Sequence, residues 1–257
     1  MQIRAVFNQK GGVGKSSIAV NLAAISASRG KKTLVVDLDP QCNSTHYLLG
    51  EDYHDVSPNL YGFFEQTLGF QSSRQAPSEF VHPTPYEHLF VMPSAYNLGD
   101  LQSQLESKHK IYKLRDALAK LSQQFEVIYI DTPPAFNFFS LSALVAATGC
   151  LIPFDCDEFA RQALYSLLAN VHEVKEDHND ELVIEGIVVN QYQPRASLPN
   201  AIIDELLADD QPVLESRISA SVKMKESHNV SKPLIYFAPK HKLSEQFIAL
   251  FDELETL

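Results

Sequence analysis

The sequence predicts an α/β fold: a doubly wound, mostly parallel twisted sheet with helices on both faces, formed by a single domain over residues 1–257. Three observations predict it. Short apolar runs rich in β-branched residues alternate with segments whose apolar residues recur at helical spacing, the order that builds a parallel sheet. The first run, Ile3 to Phe7, leads directly into a glycine-rich turn and a helix, and two later runs, 33–36 and 127–130, each deliver an aspartate at their end. Chemistry-bearing residues should therefore collect at one edge of the sheet.

The loop after the first run is the strongest signal. Lys10, Gly11, Gly12, Val13, Gly14, Lys15, Ser16 and Ser17 have the form of a phosphate-binding loop. Its glycines let backbone N–H groups turn around phosphate oxygens, the following helix directs its positive end at them, and Lys15 adds a full charge. Ser16 is placed to offer its hydroxyl to Mg²⁺. In the ordinary pattern G-x-x-x-x-G-K-S/T the first glycine would stand at Gln9, and here a second lysine, Lys10, follows it.

Ile18, Leu22, Ala23, Ile25 and Ala27 then keep a helical face as far as Gly30, and Thr33 to Val36 reads as a buried parallel strand, closing a right-handed βαβ unit. That strand ends in Asp37-Leu38-Asp39-Pro40, whose carboxylates serve either phosphoryl chemistry or a strand-end turn and helix cap. Residues 46–94 carry Pro77, Pro83 and Pro85 and predict short helices and loops, with a short strand at Leu89 to Pro93. From Asn97 to Gln123, Leu98, Leu101, Leu105, Leu114, Leu118 and Leu121 keep helical spacing.

Val127 to Ile130 is the next strand, and Asp131 at its end is a candidate to hold Mg²⁺ through water opposite Ser16, with Pro133 and Pro134 stiffening the chain just beyond it. A helix is predicted over 141–147, a strand over 150–153, an amphipathic helix over 159–175 and a strand over 182–190. The last ends in Asn190, whose amide matches the donor and acceptor edge of adenine or closes a turn. Between Arg217 and Lys242, six Arg and Lys residues face Glu226 alone, a local balance of +5 in a chain of net charge −11. Arg217, Lys223 and Lys225 are the candidate DNA contacts there, against a solvated basic face. Leu243 to Leu254 predicts a terminal helix whose polar residues are mostly acidic.

The 45% hydrophobic content supports a sizeable core, and the net charge of −11 argues against coating nucleic acid with the whole surface. Cys42, Cys150 and Cys156 stand singly, so no zinc ribbon or disulfide framework is indicated, and a cytoplasmic location is expected. No leader or membrane span is expected, since the most apolar stretch, Leu141 to Phe154, is short and interrupted.

K-G-G-x-G-K-S/T at the loop resembles the deviant phosphate-binding loop of the ParA/MinD superfamily. D-x-D-P-Q-x-N-x-T from Asp37 and D-T/C-P-P from Asp131 resemble the same superfamily. The resemblance implies an ATP hydrolase using Mg²⁺, slow and partner-stimulated. Its subunits form a homodimer in the ATP state, with Lys10 reaching the partner's nucleotide, and Asp39 orients the attacking water. It also implies a base-reading Asn190, non-specific DNA binding on the nucleoid, and stimulation by a cargo-bound ParB-like or adaptor protein. Residues 218–233 are similar to the I-P-R-N-V-x-L-S-E-A-P-x-x-x-K-P segment of ParA proteins, with Ser219, Ala220 and Ser221 replacing Pro, Arg and Asn. No helix-turn-helix precedes the first strand, so operator recognition is not expected. MinD-type proteins end in a basic amphipathic helix that lies on lipid; the acidic tail here implies no stable membrane anchoring. The alternatives are a membrane-surface MinD-like ATPase and a metabolic member of the superfamily, a ligase or a reductase.

Overall fold

The computed structural model describes residues 1–69, 74–156, 160–193 and 197–257. In chain order, β1 (Gln2–Val6), α1 (Lys15–Ser28) and β2 (Thr33–Asp37) form the first βαβ unit. There follow α2 (Asn43–Leu49), α3 (Leu60–Leu68), β3 (His82–Pro83), β4 (Leu89–Met92), α4 (Gln102–Ser107), α5 (Lys113–Leu121), β5 (Val127–Asp131) and α6 (Phe138–Ala146). The remainder comprises β6 (Gly149–Asp155), α7 (Ala160–His178), β7 (Val183–Tyr192), α8 (Ser197–Ala208), β8 (Val213–Ser219), α9 (Val222–Asn229), α10 (Leu234–Phe237) and α11 (Lys242–Leu254).

The strands form one eight-stranded sheet in the order β3-β4-β2-β5-β1-β6-β7-β8, parallel except for β3. β2 and β5 are buried along their whole length, which is why they read as unbroken apolar runs. One face of the sheet packs against α3 to α7 through residues such as Phe64, Leu105, Leu118, Phe139 and Leu167. The other carries α1, α2, α10 and α11 through Ile18, Leu22, Tyr47, Leu234, Phe247 and Phe251. The apolar face of α11 is thus spent on the core.

Several elements depart from the sequence pattern. The leucines of 97–123 are all buried, but the helix is broken, because His109 takes φ 52° and Lys110 N–H turns back to Leu105 O to end α4. The helix expected over 159–175 runs from Ala160 to His178, with Phe159 outside the described residues. β8, which the pattern did not announce, is an edge strand with only Leu214 and Ile218 buried.

The opposite end of the strands holds a buried cation. Arg4, with no exposed surface, donates to Glu185 Oε2 at 2.9 Å, Leu254 O at 3.0 Å and Tyr129 OH at 3.3 Å, joining β1, β5, β7 and the end of α11.

Candidate active site

Strand register assembles the site. Val6 and Asp37 lie opposite Asp131 on its two sides, and Asp155 lies opposite Asn190, so one sheet edge gathers the loop, the carboxylates and the asparagine. The loop turns through Gly12 at φ 77° and Gly14 at φ 93°, where any other residue would be strained. No side chain caps α1, which leaves its first-turn N–H groups to meet an anion.

Lys15 is 6% exposed and its ammonium donates to Lys10 O at 2.9 Å. Burial pushes its pKa down, while Asp131 and Asp39 push it up. It lines a cleft of about 390 Å³ together with Gly11, Gly12, Gly14, Ser16, Ser17 and Asp39. Lys10 is turned the other way. Its Nζ lies 3.4 Å from Asp155 Oδ2 with 42% of the side chain exposed.

The two carboxylates of Asp37-Leu38-Asp39 divide their work. Asp37 is fully buried and accepts from Thr45 N–H at 2.8 Å, Thr45 Oγ1 at 2.7 Å and Asp39 N–H at 3.2 Å, so it clasps the turn. Asp39 lines the cleft, accepts from Gln41 N–H at 2.9 Å and has its pKa raised by burial.

Asp131 is also fully buried. Its Oδ2 accepts from Ser44 Oγ at 2.7 Å, whereas its Oδ1 has no protein partner among the described residues. Burial pushes its pKa up to about 6, opposed by the hydroxyls of Ser16 and Ser44. An orphaned carboxylate oxygen beside a serine hydroxyl at the foot of a phosphate loop fits a hard divalent cation, so Ser16 and Asp131 suit Mg²⁺.

Asn190, at the end of β7, is bonded to the phosphate loop. Its Nδ2 donates to Val13 O at 2.8 Å, and the neighbouring Gln191 Nε2 donates to Gly12 O at 2.7 Å, so the end of β7 braces the loop. The bond to Val13 O uses one of the two Asn190 N–H donors and leaves the other and Oδ1 for a base. A second cleft of about 540 Å³ opens here, lined by Gly12, Gly14, Asn190, Ile218, Met224 and Lys225 among others. Of the three basic candidates only Lys225 reaches it. Arg217 lies 5.5 Å from the Tyr192 ring centroid, and Lys223 is held by Glu226 at 2.5 Å.

A family model described as an AAA domain matches residues 1–184. Over 255 residues the chain is 33% identical to the chromosome partitioning protein ParA of Myxococcus xanthus, covering 98% of this chain and 87% of that protein. It is 31% identical to the sporulation initiation inhibitor protein Soj of Bacillus subtilis, covering 98% of each. The chain belongs to the ParA/MinD family. Among solved structures, the ATP complex of a Cyanothece McdA variant shares the fold with a TM-score of 0.84 at 23% identity, over 99% of this chain and 96% of that one. Cobyrinic acid a,c-diamide synthase from Mycobacterium smegmatis, solved with an ATP analog and magnesium, superposes with a TM-score of 0.84 at 25% identity, over 98% and 93%.

Against the ParA/MinD family pattern, two functional neighbours of the loop escaped the sequence reading. Gln191 is one, and nothing local marks it. His228 is the other: its Nε2 lies 3.1 Å from Ser17 Oγ and its ring stands edge-on to Tyr47 at 4.5 Å. In the ParA segment I-P-R-N-V-x-L-S-E-A-P-x-x-x-K-P, His228 falls at the second proline, and that substitution was its sequence signal.

Proposed function

We propose that the protein is a dimerising ATPase that partitions or positions DNA or another large cargo. The observation that carries this reading is the opposed setting of two lysines on one loop: Lys15 is buried in its own phosphate cleft, while Lys10 lies outside that cleft, half-exposed and paired with Asp155. A lysine set outside its own phosphate cleft and paired with Asp155 is placed to meet the nucleotide of a facing copy once that pair is exchanged.

In the proposed cycle ATP seats its phosphates on the loop N–H groups and Lys15, and its base enters the second cleft beside Asn190. Ser16, and Asp131 through water, would hold Mg²⁺, which would neutralise phosphate charge there. Two subunits close with each Lys10 on the other's nucleotide, and Asp39 orients water for attack. Positioning and charge placement account for most catalysis in phosphoryl transfer, and the Lys15 and Lys10 ammoniums supply both. Hydrolysis reopens the dimer, with a cargo-bound ParB-like or adaptor protein as stimulator. The ATP state binds nucleoid DNA non-specifically through Lys225, with Arg217 and Lys223 as weaker contributors.

The burial of Phe247, Leu250, Phe251 and Leu254 weighs against a membrane-lying α11. The metabolic reading has one support, the likeness to the diamide synthase, and substrate-dependent phosphate release tests for it. The deciding experiment measures binding to a non-specific duplex with ATP, ADP or no nucleotide across a salt series, using wild type and Lys223→Ala/Lys225→Ala. Binding that needs ATP, falls steeply with salt and weakens in the variant supports the proposal. Binding in no state refutes the DNA role. Asp39→Ala should trap the ATP-bound dimer, and undiminished turnover in that variant would remove Asp39 from the mechanism.

A further inference from the structure

α9 forms one wall of the second cleft, and His228 is where that wall meets the helix of the phosphate loop. Ser17 is the third residue of α1, 8% exposed, and its hydroxyl lies 3.1 Å from His228 Nε2. Ser17 and His228 both line the phosphate cleft and the cleft beside it, so the imidazole sits at the seam between the two. A phosphate seated on the first-turn N–H groups of α1 would meet Ser17 first and this ring next.

The surroundings hold the ring in place, with Ser17 Oγ its one hydrogen-bond partner among the described residues. Tyr47 packs edge-on against it, while the Tyr47 hydroxyl is engaged by Ser227 and by Asn21 Nδ2. The charged and titratable groups around it are Lys15 of α1, His46 and Tyr47 of α2, Asp39 on the turn after β2, and Lys225 and Glu226 of its own helix. Burial and His46 push the His228 pKa down, so the ring is neutral when no anion is present and keeps one N–H to donate.

We propose that His228 is a nucleotide-contacting residue of this chain, donating a hydrogen bond to the phosphate group seated at Ser17 and so making α9 part of the phosphate site. This rests on the reading of the cleft as a nucleotide site. It assigns the contact to a residue where the ParA segment carries a proline, which has no donor.

The test is ADP affinity, by displacement of a fluorescent ADP, for wild type, His228→Ala, His228→Gln and Lys15→Ala, with ¹⁵N-histidine spectra of the wild type during titration with ADP and with adenosine. His228→Ala should weaken ADP binding about 5–20-fold, the loss of one hydrogen bond to a charged group. His228→Gln keeps a side-chain donor and should return to within about 3-fold of wild type, since glutamine can still reach the anion. The His228 Nε2 resonance should move with ADP and stay with adenosine, which lacks phosphate. Equal ADP affinity in His228→Ala overturns the assignment. So does an equal loss in the Ala and Gln variants with no ADP-specific shift, the signature of a ring that only packs on Tyr47. A wild type that binds no ADP and matches Lys15→Ala overturns the nucleotide reading as well, so the two failures are told apart.

Discussion

Alanine at Gly14 would drive a Cβ into the Asn190 amide nitrogen, far inside any contact distance, in a backbone held at φ 93°. The change carries two costs. A side chain in the left-handed region costs roughly 1–2 kcal/mol. The Asn190 amide can relieve the clash only by swinging off Val13 O, abandoning a buried 2.8 Å bond worth about 1–3 kcal/mol once its partners are left unpaired. Gly14→Ala should therefore destabilise the nucleotide-free protein by about 2–5 kcal/mol. Asn190→Ala alone loses the same bond and should cost about 1–3 kcal/mol. In the double variant that bond is lost only once, so the combined effect should fall short of the sum by at least about 1 kcal/mol. Urea unfolding of the four proteins at pH 7.5 gives each value. Additivity within about 0.3 kcal/mol would show that the loop is not braced by Asn190, and the reasoning would fail.

Three further perturbations bear on the same structure. Arg4→Ala strands Glu185 and Glu255 at the end of the sheet away from the cleft and should cost about 3–5 kcal/mol in urea unfolding, as for other broken buried pairs. Asp131→Asn should abolish Mg²⁺-dependent turnover yet stabilise the nucleotide-free protein at neutral pH. The Asp131 pKa is raised to about 6 from 3.8, so the wild-type penalty lies on the charged form, is complete above about pH 6 and vanishes below about pH 4. The gain in Tm should follow that window, and a gain confined to acid would contradict it. For His228 the sign is reversed. Its folded pKa lies below 6.5, so the unfolded chain takes the proton first and stability falls as pH drops below about 6.5, by no more than about 1.4 kcal/mol per unit. Thermal unfolding from pH 8 to 5 should show a shallower decline in His228→Gln than in wild type.

What the sequence made legible was local. Lys10 to Ser17 are contiguous, and Asp131 ends, and Asp39 follows by two residues, strands whose burial on both faces leaves an unbroken apolar signature. β8 was missed because an edge strand needs only one buried face, and Val213-Leu214-Glu215-Ser216-Arg217-Ile218-Ser219 buries just two side chains fully. β3 is two residues long and includes a proline, beneath any periodicity. The bonds that shape the site join residues far apart in sequence, Asn190 to Val13 across 177 positions and His228 to Ser17 across 211, and so does the Arg4 to Glu185 bond at the other end of the sheet, across 181. Such partners are selected by the packed fold, and no local pattern encodes them. The basic segment is the converse case. A charge run is visible in sequence, but the fold gives Arg217, Lys223 and Lys225 three different settings.

α1 joins the loop to the basic segment by direct bonds. Ser17 Oγ meets His228 at 3.1 Å, Asn21 Oδ1 accepts from Leu234 N–H at 2.8 Å, and Ala24 O accepts from Tyr236 OH at 3.4 Å. Positions 17, 21 and 24 are spaced by four and three, so they form one stripe along the helix, and each grips the segment that holds α9 and α10. The other end of that stripe is the phosphate loop itself. A ligand that draws the first turn of α1 toward its phosphates must either carry α9 with it or break these bonds in order, beginning with Ser17. Lys225 lies on α9 and lines the second cleft, so in the proposed cycle the basic segment is tied to the phosphate loop by direct bonds along one helix rather than through a linker.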